Sequence, residues 1–214
     1  MERAKSHTVL KGIGIFLLIA IIAVAIIGFL LYQSAQRALA EANTIQGEVT
    51  ALQESLTSND AEQIRKAVGD LDNSIHLIHL ETSNPLWGIA EGLPFIGGDV
   101  HAVRTLSDVF LDLDENVLVP FGKNANYLTI DGYITSEGIS LDGITELTNL
   151  AKEAQPIVAR SYATIDALPP TQLARVQEFI NTTRDALDTT NQVLIIANDI
   201  IDGAASFFGL SAAA

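Results

Sequence analysis

Apolar positions recur along this chain at spacings of three and four residues. That is the period of a helix with one buried face. Leu39, Ala42, Ile45, Val49, Leu52 and Leu56 form a first stripe, broken at Ser58, Asn59 and Asp60. Asn59 is placed to cap the next helix, with Glu62 as its capping-box partner. Ile64, Val68, Leu71, Ile75 and Ile78 form the second stripe, and the short break predicts an antiparallel hairpin. Residues 82–98 hold two Pro and four Gly and predict a helix-breaking connection. A third helix is expected from a cap at Asp99, through Val103, Leu106, Phe110, Leu113 and Val117, to a stop at Pro120 and Gly122. Residues 123–139 read as loop with some helix. Ser140 is the expected cap of a fourth helix running to Ile165, kinked at Pro156 and ended by Pro169 and Pro170. A fifth runs from Val176 to Ile201 and stops at Gly203. No segment alternates with the period of two that marks strands. The predicted fold is all-α: an elongated antiparallel helical bundle.

One apolar segment has no polar face at all. Residues 12–32 carry no charge over 21 positions, enough as a helix to cross roughly 30 Å of hydrocarbon. A cleaved leader has an apolar core of only about 7–15 residues. Ala38, Leu39 and Ala40 have the form of a cleavage site but lie beyond Arg37, so an uncleaved signal-anchor is expected. Arg3, Lys5 and Lys11 precede the run, which places residues 1–11 in the cytoplasm and the bulk outside. The lipid bilayer is the expected partner of residues 12–32, with Tyr32 at its interface. No two small residues of the span fall four apart, so no close-packing dimer seam is expected. The divisions are therefore tail 1–11, transmembrane anchor 12–32, extracytoplasmic bundle 33–202 and C-terminal tail 203–214.

The charge balance now makes sense. The 214 residues carry 12 Lys+Arg against 26 Asp+Glu, yet mean hydropathy is positive at +0.29. Beyond residue 32 there remain 9 basic and 25 acidic residues, a net −16. Such a surface suits neither nucleic acid, which needs clustered cations, nor anionic head groups. With no cysteine there is no disulfide, thiolate nucleophile or cysteine-based zinc site.

Candidate chemistry is sparse. Asp72, His76 and His79 share a helix, but a closed metal site needs three or four ligands and the spacing supplies no further one. Asp112, Asp114 and Asn116 begin like a calcium loop. Val117 and Lys123 stand where it needs Gly and Glu, so a solvated helix face is expected. The glycine-rich residues 92–99 lack the ending of a phosphate loop. No serine elbow is present, and the sequon at Asn181 falls within a helix. No catalytic, cofactor or metal residue is therefore assigned. One candidate recognition loop remains: Trp87, Pro94, Phe95, Gly97, Gly98 and Asp99. The alternative reading of the same segment is a tight connection with close backbone packing, in which Trp87 and Phe95 serve as apolar plugs.

The run Asn84-Pro85-Leu86-Trp87, then Leu93-Pro94-Phe95-Ile96-Gly97-Gly98-Asp99, followed by Ala102-Val103-Arg104 and Gly138-Ile139-Ser140-Leu141, resembles the N-terminal region of actinobacterial envelope proteins bearing domain of unknown function 4012. The resemblance implies an envelope location and a larger C-terminal domain. The chain would then be a stand-alone form or a front portion. It brings no catalytic residue. The expected function is a non-enzymatic, membrane-anchored helical protein with a structural or interaction role, with a protein partner in the envelope as the further expected contact. The competing expectation is a sensory ectodomain of chemoreceptor type. That needs a second span, which residues 195–210 cannot supply because they contain Asp199 and Asp202.

Overall fold

The computed structural model describes residues 35–38, 40, 44–45, 47–129, 134–135, 138–139 and 141–207. The anchor at 12–32, the cap at Ser140 and the tail after 207 lie outside them. Among the described residues no helix is long and apolar enough to cross a membrane. The fold is all-α, as the stripes predict.

Helix α1 covers residues 47–58 and ends at Asn59, whose φ of 58° is left-handed. Asn tolerates that backbone and commonly ends helices in this way. The cap of the next helix therefore falls on Asp60, not Asn59. Its carboxylate accepts from the amides of Glu62 and Gln63 at 2.9 and 3.2 Å, and Gln63 Nε2 donates back at 2.9 Å. The side chain that answers the cap is thus Gln63, not Glu62, and it does so by donating to the Asp60 carboxylate. Those amides hold the Asp60 carboxyl below its ordinary range.

Helix α2 (Ala61–Thr82) runs back along α1. Ser74 Oγ donates to Glu48 at 2.9 Å, and Arg37 pairs with Glu81 at 2.7 Å. The connection that follows is not helix-free as expected. Asn84 caps the amide of Leu86 at 3.0 Å and Pro85 opens helix α3 (Pro85–Glu91). Proline is favoured there because its missing N–H has no partner to lose.

Helix α4 (Gly97–Leu113) is antiparallel to α2. Facing pairs are Thr82 with Ser107 at 2.8 Å, His79 with Asp108 at 3.4 Å and His76 with Asp114 at 3.6 Å. A π-helical turn (Asp114–Leu118) and helix α5 (Val119–Lys123) continue its path through the expected stop at Pro120. The Val119 amide bonds the Asp114 carbonyl five residues back. The register thus changes just before the residue that has no N–H to give.

A 3-10 turn (Ala125–Leu128) leads to two short strands, β1 (Ile134–Thr135) and β2 (Gly138–Ile139), an antiparallel ladder that the sequence did not predict. Helix α6 (Leu141–Asp166) accommodates Pro156. Helix α7 (Ala174–Phe207) passes through Gly203, where a stop was expected. A helical Gly costs only about 1 kcal/mol against Ala, which length and packing can absorb.

Two apolar cores result. Ala102, Leu106 and Val109 of α4 pack with Val158, Ile165, Ile180 and Leu187 of α6 and α7. Ile64 and Val68 of α2 pack with Ala125, against Leu52 and Leu118. At the second, a Cβ on Gly122 would stand 2.6 Å from Val68 Cγ1. Val68 is stiff and buried, so it has no room to yield. We expect Gly122→Ala to cost about 1–3 kcal/mol by overpacking and Ile165→Ala about 2–5 kcal/mol by cavity formation. Ile195→Ala, on an exposed side chain, should stay within about 0.5 kcal/mol. Urea unfolding followed by circular dichroism measures all three.

Candidate functional site

Two places in the bundle stand apart from ordinary packing. The first is the end formed by α3, the loop after it and the connection 167–173. Residues 84–98 contain a single charged residue, Glu91, and residues 167–173 contain none. That scarcity is notable in a chain so acidic elsewhere. Helix α3 lies along the first half of α4, and Glu91 binds both His101 (2.8 Å) and Arg104. The imidazole first, and then the guanidinium, hold the Glu91 carboxyl below its ordinary value. The one charge at this end is therefore answered.

The expected recognition residues divide into two groups here. Trp87, Gly97 and Asp99 are buried, whereas Pro94, Phe95 and Gly98 are exposed. Trp87 is the plug it was expected to be. Phe95 is not: it is 81% exposed, and its φ of 74° is left-handed. That conformation is rare for an aromatic residue and costs on the order of 1–3 kcal/mol. Ile89, Leu93, Ile96 and Leu173 are exposed around it. Asp99 does not cap its own helix, which starts two residues earlier at Gly97. Its Oδ1 instead accepts from the amides of Gln172 and Leu173 at 2.9 and 3.0 Å. This ties the 167–173 connection to the start of α4. Gly97 is required by close approach, because a Cβ there would lie 2.2 Å from the Glu91 carbonyl oxygen.

The second place lies between α2 and the π turn. His76 and His79 do not act together: His79 faces Asp108, while His76 faces Asp114. The group that does converge is Asp72, His76 and Asp114, whose donor atoms all lie within 4.8 Å of one another. His76 Nδ1 stands 3.2 Å from Asp72 Oδ1 and 3.6 Å from Asp114 Oδ2. Its Nε2 is 3.9 Å from Glu115. The Asp72 carbonyl, accepting from the ring, raises the His76 pKa, and the surrounding carboxylates add to that.

Asp114 corrects the expectation of a solvated face. It is 1% exposed, and neither carboxylate oxygen has a hydrogen-bond partner. Burial, with the Asp72 carboxylate beside it, pushes its pKa up to about 7. Its burial is decided by how α2 meets α4, and no local sequence pattern announces it.

A cleft between α4 and α6 is lined by Thr105, Asp108, Asp112, Arg160, Ser161 and Thr164, and the Arg160–Asp112 pair (2.7 Å) crosses it. Asn181 is mid-helix, as expected, and accepts from Gln177 and Arg184. No family model matches the chain, and neither does any curated protein or solved structure compared with it.

The Glu91 pair gives the first end a defined acid response. A carboxyl depressed below 4.5 by its partners adds stability above that value and loses it as pH falls through the depressed pKa. The sole tryptophan, Trp87, reports on this end. Its emission should shift to the red on acidification below the ordinary carboxylate range, and Glu91→Gln should abolish that step. A shift that persists unchanged in Glu91→Gln would assign it elsewhere.

Proposed function

We propose that this chain is a single-pass, membrane-tethered helical ectodomain of the cell envelope, with a structural or interaction role exercised at the bilayer surface. The observation that carries the reading is the Arg37–Glu81 ion pair, which sets the start of the bundle against the C-terminal end of α2. Tyr32, the last residue of the apolar run, is five residues from Arg37. Five residues reach at most about 18 Å in any conformation. On this reading the membrane boundary lies close to that end.

The uncharged end of the bundle lies on the same side. Thr82 is level with Ser107, and α4 begins ten residues before Ser107, at Gly97. At 1.5 Å per residue α4 extends about 15 Å past the end of α2. It carries Leu93, Phe95 and Ile96 to its tip. An exposed apolar cluster with its only charge neutralised suits the hydrocarbon–headgroup boundary, whereas the acidic remainder of residues 33–214, which together carry a net −16, does not. The resemblance to the actinobacterial envelope family supports the same placement.

Quenching by lipid tests the reading. In the full chain reconstituted in phosphatidylcholine vesicles, Phe95→Trp combined with Trp87→Phe should be quenched by bromine-labelled acyl chains. Thr57→Trp in the same background, at the opposite end of α1, should not be. Phe95→Gly fits the left-handed backbone without strain, so its unfolding temperature should be held or raised. Flotation with vesicles that fails for the wild type would sink the tether. Flotation without quenching at position 95 would sink only the seating of the tip. Protease added to intact spheroplasts should digest the part after Tyr32, and full protection would reverse the orientation.

A further inference from the structure

We propose that Asp72, His76 and Asp114 form a binding site for one divalent first-row transition ion, with zinc as its best-fitting occupant. The inference is independent of the membrane reading.

Three carboxylates near a histidine are not in themselves a site. What distinguishes this cluster is Asp114. Its side chain is fully buried, both oxygens lack hydrogen-bond partners, and Oδ2 is aimed at the imidazole of His76. A buried carboxylate left unsatisfied costs the fold its full desolvation, so such groups are paired or coordinate metals. Among the described residues the cationic group that faces it is His76, at 3.6 Å and itself 44% exposed.

The spacing of the donors suits a small ion. Zinc binds nitrogen and carboxylate oxygen at roughly 2.0–2.2 Å, and neighbouring ligands of a tetrahedron then stand roughly 3.3–3.5 Å apart. The 3.2 and 3.6 Å separations from His76 Nδ1 bracket that edge, the third lies within 4.8 Å, and the ion would displace the Nδ1 proton that the ring donates to the Asp72 carbonyl at 3.0 Å. Calcium fits less well, since it takes six to eight oxygens and an imidazole is a poor ligand for it. Asp72 and His76 are each partly open to solvent, so a water can complete the coordination. The other ring nitrogen of His76 looks toward Glu115 Oε1 at 3.9 Å. A carboxylate in that position orients a ligating histidine and raises its basicity. The π turn supplies the geometry, because Asp114 and Glu115 are its first two residues. Insertions of this type are frequent at functional sites.

The test uses the full chain in detergent, stripped of metal and titrated with zinc, calcium and magnesium. Zinc should bind at one ion per chain and, at a hundredfold its Kd, raise the unfolding temperature on the order of 5–10 °C. Asp114→Asn, Asp72→Asn and His76→Gln should each weaken binding at least tenfold. Glu115→Gln should weaken it about tenfold, the usual effect of removing an orienting partner. His79→Gln and Asp112→Asn should bind as the wild type does. Asp114→Asn has a second signature: the metal-free protein should melt higher than the wild type, because a buried charge is gone, and should no longer respond to zinc. Circular dichroism of each variant, and the exposed Glu115 position, guard against loss of fold. The proposal fails if the wild type shows no zinc-dependent rise, if calcium and magnesium match zinc, or if Asp114→Asn responds like the wild type.

Discussion

The larger core and the height of α2 both depend on α4, which has to satisfy two unlike neighbours at once. Toward α6 and α7 it presents Ala102, Leu106 and Val109, the centre of the larger core. Toward α2 it presents Ser107, Asp108 and, through the π turn, Asp114, each facing a polar group of α2. Apolar burial on one side, at roughly 25 cal/mol per Å², drives the association. The polar seam on the other side adds little net energy but fixes the relative height of α2 and α4, because an offset by one turn would leave Thr82 and Ser107 buried without each other. Register set in this way carries the first end of α4 beyond α2 and positions the tip.

The helical stripes were legible because each reflects a single buried face repeated over several turns. They predicted five long helices, and all five are present; the second to fifth bury much of their stripes, whereas in the first Val49 and Leu56 are exposed and only Ile45 and Leu52 are partly covered. Details decided by one or two residues were less legible. Asn59 and Asp60 are both good caps, and only the left-handed backbone at Asn59 assigns the cap to Asp60. The short helix α3 was masked by Pro and Gly at a density that usually breaks helices. Phe95 has the composition of a core residue and the position of a loop tip, and position prevailed.

The polar cluster was half legible. Asp72 and His76 share one helix face at a spacing of four, which a sequence displays directly. Asp114 comes from another element, and its burial depends on how α2 meets α4, which no local pattern encodes. It also sits in a π turn, where the ordinary count of 3.6 residues per turn no longer predicts which way a side chain points. The same break in register explains why Pro120 failed as a stop signal. A tertiary arrangement, not a propensity, decided both.

The contact of Asp99 with the amides of Gln172 and Leu173 spans 73 and 74 residues of chain. Synthesis at about 5–20 residues per second puts roughly 4–15 s between the two partners. Over that interval the first hairpin and α3 can close on α4, but Leu106 and Val109 have nothing from α6 or α7 to cover them. The nascent bundle therefore carries an open apolar flank for seconds before its last helix arrives, and its yield depends on how well the cell shields that flank in the meantime.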